Sequence, residues 1–365
     1  NGLIRLDAAT GYELEKIEIN CGVFSLWKDE QQNIIWIGTD GQGIYAWTKD
    51  EYAFSNLSLS QLPINKRRPI RALYTDHQNT LWLGTKDNGI IRIKDYDVAR
   101  EYSAANVTHF TVKDGLANNA VFAFTASKKH PILWIGSDGP GLNYYSYQDN
   151  KIHPLINNTT SKITRVHSMS ETCDSLLWIG SGSRLFRISI EAHGNTIQAK
   201  EIRTIYFRVP NRQQYNQIYS IYPENDSILW IGMRGNGVIR LNTQTEAYRL
   251  ITFDKNGIAP MNDILCIHQD KNKVIWVGSS YGLTRLTLLP NGEYDYKNFN
   301  ENEGLPNNTI HGIAEDPQGN LWLSSNTGII LFDPHKNTFR NLNHKTGLKV
   351  IEFSDNAYFQ DNTRN

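Results

Sequence analysis

The sequence lacks any imbalance of charge: Lys plus Arg equals Asp plus Glu, at 37 each. No global positive field exists to gather nucleic acid or anionic lipid, so neither is an expected partner. Cysteine is nearly absent as well. Cys21, Cys173 and Cys266 lie far apart without C-x-x-C spacing, which argues against a zinc site or a disulfide framework and for small buried residues. No apolar run approaches the roughly 18 residues of a membrane-spanning helix, so direct membrane insertion is not expected. The H-E-x-x-H, G-x-S-x-G and P-loop spacings are also missing, and with them any expected metal or cofactor.

What is present is one phrase repeated. "LWIGSDGPGLNYY" at 133 returns as "IWIGTDGQGIYAW" at 35, "LWLGTKDNGIIRI" at 81, "LWIGSGSRLFRIS" at 177, "LWIGMRGNGVIRL" at 229, "IWVGSSYGLTRLT" at 275 and "LWLSSNTGIILFD" at 321. Its tryptophans, Trp36, Trp82, Trp134, Trp178, Trp230, Trp276 and Trp322, are spaced 46, 52, 44, 52, 46 and 46 residues apart. That period is the one of four-stranded propeller blades. A length of 365 residues would allow two domains, but a repeat running almost end to end argues for one.

Each unit reads as four short strands. In the sixth, "DILCIHQD", "VIWVGSS", "YGLTRLTL" and "YDYKNFN" are rich in β-branched and aromatic residues and are separated by turn formers. Helical periodicity is hard to find, so the fold class is all-β, a β-propeller with seven blades and eight as the alternative. Aligned on the tryptophan, the first strands carry Ser25, Ala72, Ala123, Arg165, Ser220, Cys266 and Gly312 at their third place. Small side chains there relieve crowding around the axis, where overpacking would cost about 1–3 kcal/mol. Arg165 is the exception in that column. The tryptophan is expected to cover the neighbouring blade, with the following glycine admitting that blade's backbone.

These residues resemble the two-component regulator propeller repeat, whose units carry an aspartate-rich turn, L-W-I-G-T and N-G-G-L-x-R-x-D. "DHQNTLWLGTKDNGIIRIKD" at 76 to 95 follows that pattern, and the family's G-L-x-N-N link appears in "KDGLANNAVFAF" and "NEGLPNNTIHGI". "KTGLKVIEFSDNAYFQD" resembles the start of the last blade before the family's β-sandwich. The resemblance implies an extracytoplasmic, periplasmic sensor domain of a hybrid two-component receptor, in which an oligosaccharide released from a glycan controls polysaccharide-utilisation genes. It also implies a neighbouring propeller, a β-sandwich, a homodimer of the full-length protein and a histidine kinase, all outside this chain. The expected organisation is a partial blade over 1–19 (third and fourth strands), seven repeats over 20–343, and over 344–365 the first strand of a further blade or the start of a connection. The chain begins and ends inside repeats, as a segment of a longer polypeptide would.

A propeller permits many activities, so function must come from a site. "GQG", "GPG" and "GNG" recur in hairpins before strands, unlike phosphate loops before helices. His167, His268 and His311 lie on or just after first strands, near the axis. A catalytic reading, as in propeller lyases or glycan-cleaving enzymes, needs an acid–base pair, and His311 with Glu315 is the nearest candidate. A protein-interaction platform is the third reading. For a noncatalytic ligand site, two inserts stand out, "SLSQLPINKRRPIRAL" and "YFRVPNRQQYNQIYS". With turn replacements and axial residues they give the candidates Arg68, Arg71, Arg165, Arg208, Arg212, Tyr215, Tyr219, Arg234, Tyr281 and His311.

Overall fold

The computed structural model describes residues 2–19, 21–29, 34–48, 56–97, 102–155, 162–172, 175–194, 196–209, 216–253, 259–343, 348–349, 353–355 and 357–360. Six antiparallel four-stranded sheets follow one another along the chain, each a simple meander in sequence order. Their innermost strands are Ile70–Thr75, Val121–Ala126, Val166–Thr172, Ile218–Asn225, Ile264–Gln269 and Ile310–Glu315. Each of these touches the next, so the sheets are arranged radially about a common axis, a β-propeller. Between the last and the first lie residues 357–360. Tyr358 fills the space a side chain on Gly312 would need, and Phe359 meets Tyr74 edge-on at 5.1 Å. The Gln360 carboxamide accepts from the Glu315 N–H (2.9 Å) and donates to its carbonyl (2.7 Å), as a paired strand would. Ahead of the six sheets, Gly2–Leu6 pairs with Glu13–Glu18, and Val23–Asp29, Ile34–Thr39 and Ile44–Thr48 form a three-stranded sheet that exposes Phe24, Leu26 and Trp27.

The register explains why small residues recur on the innermost strands. Ala72, Ala123, Ser168, Ser220 and Cys266 face Gly84, Gly136, Gly180, Gly232 and Gly278 of the tryptophan phrase, as Ser25 faces Gly38. In the last sheet the partners exchange, Gly312 facing Ser324. A Cβ on Gly136 would lie 2.7 Å from a Val166 methyl and 3.0 Å from the Val166 carbonyl oxygen, so the next sheet closes against bare backbone. This corrects the alignment of the fourth repeat. Its innermost strand starts at Val166, which places Ser168 in the small column and leaves Arg165 just before the strand with φ of 53°. The column has no exception among the seven. Of the cysteines, Cys266 is buried as expected, Cys21 is only half-buried, and Cys173 falls outside the described residues.

The tryptophans work between sheets. Trp82 meets Tyr145 at 4.7 Å, Trp230 meets Tyr294 at 5.6 Å and Trp276 meets Phe332 at 5.6 Å, each aromatic belonging to the following sheet. Their indole N–H groups are satisfied by a carboxylate six residues earlier: Asp76 (2.9 Å), Glu224 (2.8 Å), Asp270 (2.9 Å) and, for Trp322, Asp316 (3.1 Å). The same Asp76 accepts N–H groups from Gln78 and Thr80 and the Tyr147 hydroxyl of the next sheet, so one carboxylate orders the turn, the indole and the junction. Trp134 instead donates across the junction to Glu171 at 2.7 Å. The Trp178 indole nitrogen is buried with no partner among the described residues.

That contrast generates a prediction. Trp178→Phe and Trp276→Phe leave similar voids, but only the second strips a buried carboxylate of its donor, so it should cost about 1–2 kcal/mol more. Urea unfolding of the two variants measures the gap, and equal losses would show that the indole hydrogen bond adds nothing.

Candidate functional site

Each innermost strand skips a residue of register near its start: between Ile70 and Ala72, Val121 and Ala123, Val166 and Ser168, Ile218 and Ser220, Ile264 and Cys266, and Ile310 and Gly312. A bulge re-aims the skipped side chain out of the regular alternation. The skipped residues are Arg71, Phe122, His167, Tyr219, Leu265 and His311. Because the skip falls at the same level in every sheet, they form a ring at one mouth of the axial channel.

Several of these side chains touch. His167 stacks between Phe122 at 4.7 Å and Tyr219 at 4.4 Å, and the Arg234 guanidinium lies 4.8 Å over the Tyr219 ring. Arg234 comes from the hairpin after Met233. It grips Asp263 through Nε and, at 2.9 Å, through Nη2, and lies 3.6 Å from Asp355; the Ser280 hydroxyl donates to the same Asp263. His311 places Nδ1 2.5 Å from Asp355 and Nε2 2.7 Å from the Asn326 side-chain oxygen. With the Asn326 amide turned this way both partners are acceptors, an arrangement that favours the doubly protonated ring. Burial alone would lower the His311 pKa, but these hydrogen bonds outweigh it and raise it. Burial pulls Asp355 upward in turn, and His311, Arg234 and Arg71 hold it below the usual carboxylate range.

Five of the sequence candidates therefore meet at the mouth: Arg71, Arg165, Tyr219, Arg234 and His311. Arg165 pairs with Asp138 at 3.5 Å and keeps most of its side chain in solvent. The others lie elsewhere. Arg68 makes an exposed pair with Asp87 at 3.8 Å, and Arg208 donates its backbone N–H to the Tyr248 hydroxyl while its side chain is exposed. Tyr281 packs its ring against the core between two sheets instead of facing the channel. Arg212 and Tyr215 fall outside the described residues. Phe122, His167, Asp263, Asn326 and Asp355 are site neighbours that the candidate set lacked.

Below the mouth runs a cavity of about 380 Å³ lined by Ala72, Ala123, Ser168 and Ser220, with Phe124, Tyr222 and Tyr358 around them. His268 and Glu315 lie 3.5 Å apart, toward the ends of two adjacent innermost strands, and Glu315 also accepts the Lys271 N–H. His311 and Glu315, the nearest candidate pair in the sequence, stand apart. They occupy opposite ends of one strand, and each has found another partner. Among the described residues no three His, Cys, Asp or Glu side chains converge as metal ligands, and no helix is long and apolar enough to cross a membrane.

His167 yields a prediction about pH. Its burial, opposed by Asp355 and assisted by Arg71, Arg165 and Arg234, lowers its pKa to about 4. A histidine kept neutral in the folded state contributes stability that is complete above its unfolded pKa of about 6.5 and is lost as pH falls toward 4. His311 has the opposite sign, stabilising below its unfolded pKa and losing that as pH rises through its raised value. Asp355 stabilises above the unfolded carboxylate range and loses that only as pH falls through its lowered value. Urea unfolding at pH 7 and pH 5 should show His167→Phe losing about 2 kcal/mol less than the parent over that interval. Identical losses would mean that the imidazole is not held neutral.

Comparison with known proteins agrees with this architecture. The family model described as "Two component regulator propeller" matches residues 66–87, 259–281 and 304–327. A protein named Histidine kinase P4 from Formosa agariphila is 28% identical over 148 residues, 39% of this chain; the match spans only 10% of that protein. Among solved structures, the extracellular domain of a protein described as a hybrid two component system from B. thetaiotaomicron superposes with TM-score 0.65 and 23% identity, covering 98% of this chain and 44% of that one. Virginiamycin B lyase from Staphylococcus aureus superposes with TM-score 0.55 and 15% identity over 78% of this chain and 86% of the lyase. At such identities the structural likenesses establish the fold: this chain is a β-propeller, and three stretches of it match the two-component regulator propeller repeat.

Proposed function

We propose that this chain is the extracytoplasmic, periplasmic sensing propeller of a hybrid two-component receptor, and that it receives a glycan-derived oligosaccharide at the channel mouth to control polysaccharide-utilisation genes. The observation that carries the reading is the ring of bulged residues. Six strands spend an irregularity at one level, and polar or aromatic groups converge there from sheets far apart in sequence. Support also comes from the family matches and from the hybrid-system domain that shares the fold. In this reading the kinase, membrane anchor, β-sandwich and dimer contacts belong to other parts of the receptor. In this reading the ring has seven places, six taken by the four-stranded sheets and the seventh by the part of the chain that holds the described residues 353–355 and 357–360.

A second reading, a lyase, is favoured by the His268–Glu315 pair, a potential acid–base couple inside a fold shared with virginiamycin B lyase. One experiment separates the two. Calorimetric titration with a panel of neutral and acidic oligosaccharides, followed by mass spectrometry of the mixture, should give heat from at least one member and no new product. In that case Glu315→Gln leaves affinity unchanged within about twofold. Turnover abolished by Glu315→Gln would overturn the sensor reading in favour of the enzyme.

A further inference from the structure

The aromatic faces at the channel mouth are already occupied. His167 is sandwiched between Phe122 and Tyr219, and Arg234 lies over Tyr219. A sugar ring laid flat on His167 or Tyr219 would have to displace one of these neighbours. What a ligand can still meet is ring edges, hydrogen-bonding groups and charge, and the edge of an aromatic ring is its positive side.

The charges at the mouth match unevenly. Arg165 has Asp138, and Arg234 has Asp263 in a two-pronged pair. Asp355 is engaged by His311 Nδ1 at 2.5 Å, with Arg234 beside it at 3.6 Å. Arg71 is left over. Among the described residues it makes no hydrogen bond and no ion pair within 4 Å, and its Nε is buried without a partner. It acts on His167, Tyr219 and Asp355 only through space. A half-buried guanidinium with an unsatisfied donor is costly unless an anion completes it, and its planar fork fits a carboxylate or a sulfate.

We propose that the channel mouth is built for a small polyhydroxylated ligand bearing an anionic group, a carboxylate or a sulfate ester, which Arg71 holds at the bulge of its strand. This rests on the sensing reading above and narrows its ligand to an acidic saccharide. Arg71 supplies the fork; the edges of Phe122 and His167 add a weakly positive wall; Asp355, already committed to His311 and Arg234, is restrained from repelling the newcomer. The cavity beneath, lined by Ala72, Ala123, Ser168 and Ser220 together with aromatic rings, gives the neutral remainder of the ligand somewhere to extend.

The test uses sodium D-glucuronate, N-acetylglucosamine 6-sulfate, and the neutral D-glucuronamide and D-glucose, titrated into the whole chain by calorimetry. At least one acid should bind about tenfold more tightly than the neutral compounds, and its affinity should fall as salt rises. Arg71→Gln should erase that discrimination, whereas Arg71→Lys, which keeps the charge without the fork, should retain part of it. Thermal melting of both variants controls for folding. If Arg71→Gln fails to fold, the comparison of the parent with Arg71→Lys decides alone: equal discrimination would remove the fork. The relative affinity of the two acids separates carboxylate from sulfate. The inference is overturned if acids and neutral sugars bind alike, if discrimination survives Arg71→Gln, or if neither acid binds up to about 50 mM. A neutral oligosaccharide bound equally by the parent and Arg71→Gln would leave the sensor standing and remove this inference. An acid bound through Arg71 and then cleaved would do the reverse.

Discussion

Everything in this molecule depends on how closely innermost strands can approach one another. Six of them crowd the axis, and they fit because each pairs a small side chain with a glycine at the same level, as Ser168 does with Gly180 and Cys266 with Gly278. The methyl groups of the next strand then rest on the glycine backbone, Ile218 against Gly180 and Ile310 against Gly278. The register skip one residue before the small position is part of the same arrangement. It ejects the preceding side chain from the packed interface and aims it at the channel mouth. Packing and recognition are therefore set by adjacent residues, and a change at one is felt at the other.

Much of this was legible in the sequence. The recurrence of Trp-Ile-Gly sets the repeat, and the small column foretells tight packing near the axis. Reading the fourth repeat from Arg165 slipped by three residues, because "ITRV" mimics a first strand in its apolar ends while the strand begins at Val166. The bulges were not legible, since strict alternation assigns Arg71, Phe122, His167 and His311 to a face without revealing that each is displaced toward the axis. Asp355 could not be foreseen as the partner of His311, 44 residues away, because nothing in the local pattern specifies that contact. Tyr281 shows the reverse error: a residue unusual for its turn, it fills the space between two sheets.

The carboxylates divide the labour with the tryptophans. Asp76, Asp270 and Asp316 sit in turns where their oxygens take backbone N–H groups as well as the indole, which explains why the aspartate-rich turn and the tryptophan travel together in the repeat. Where the spacing changes, the solution changes. Trp134 has Lys128 six residues earlier and borrows Glu171 from the following sheet, so this junction is tied by a charge-assisted bond across it.

The segment that closes the ring spans both ends of the channel. Asp355 joins the network at the mouth, and five residues on the Gln360 carboxamide substitutes for a strand against Glu315, next to His268. Among the described residues this line is made of Tyr358 seated on Gly312, Phe359 against Tyr74, the Gln360 carboxamide on Glu315 and the Asp355 bonds to His311 and Arg234. Asp355 ties this segment to His311 and Arg234 at the mouth. A ligand that displaced Asp355 would therefore act on the same short segment that meets Glu315, and by reciprocity a displacement of that segment would be felt at the mouth.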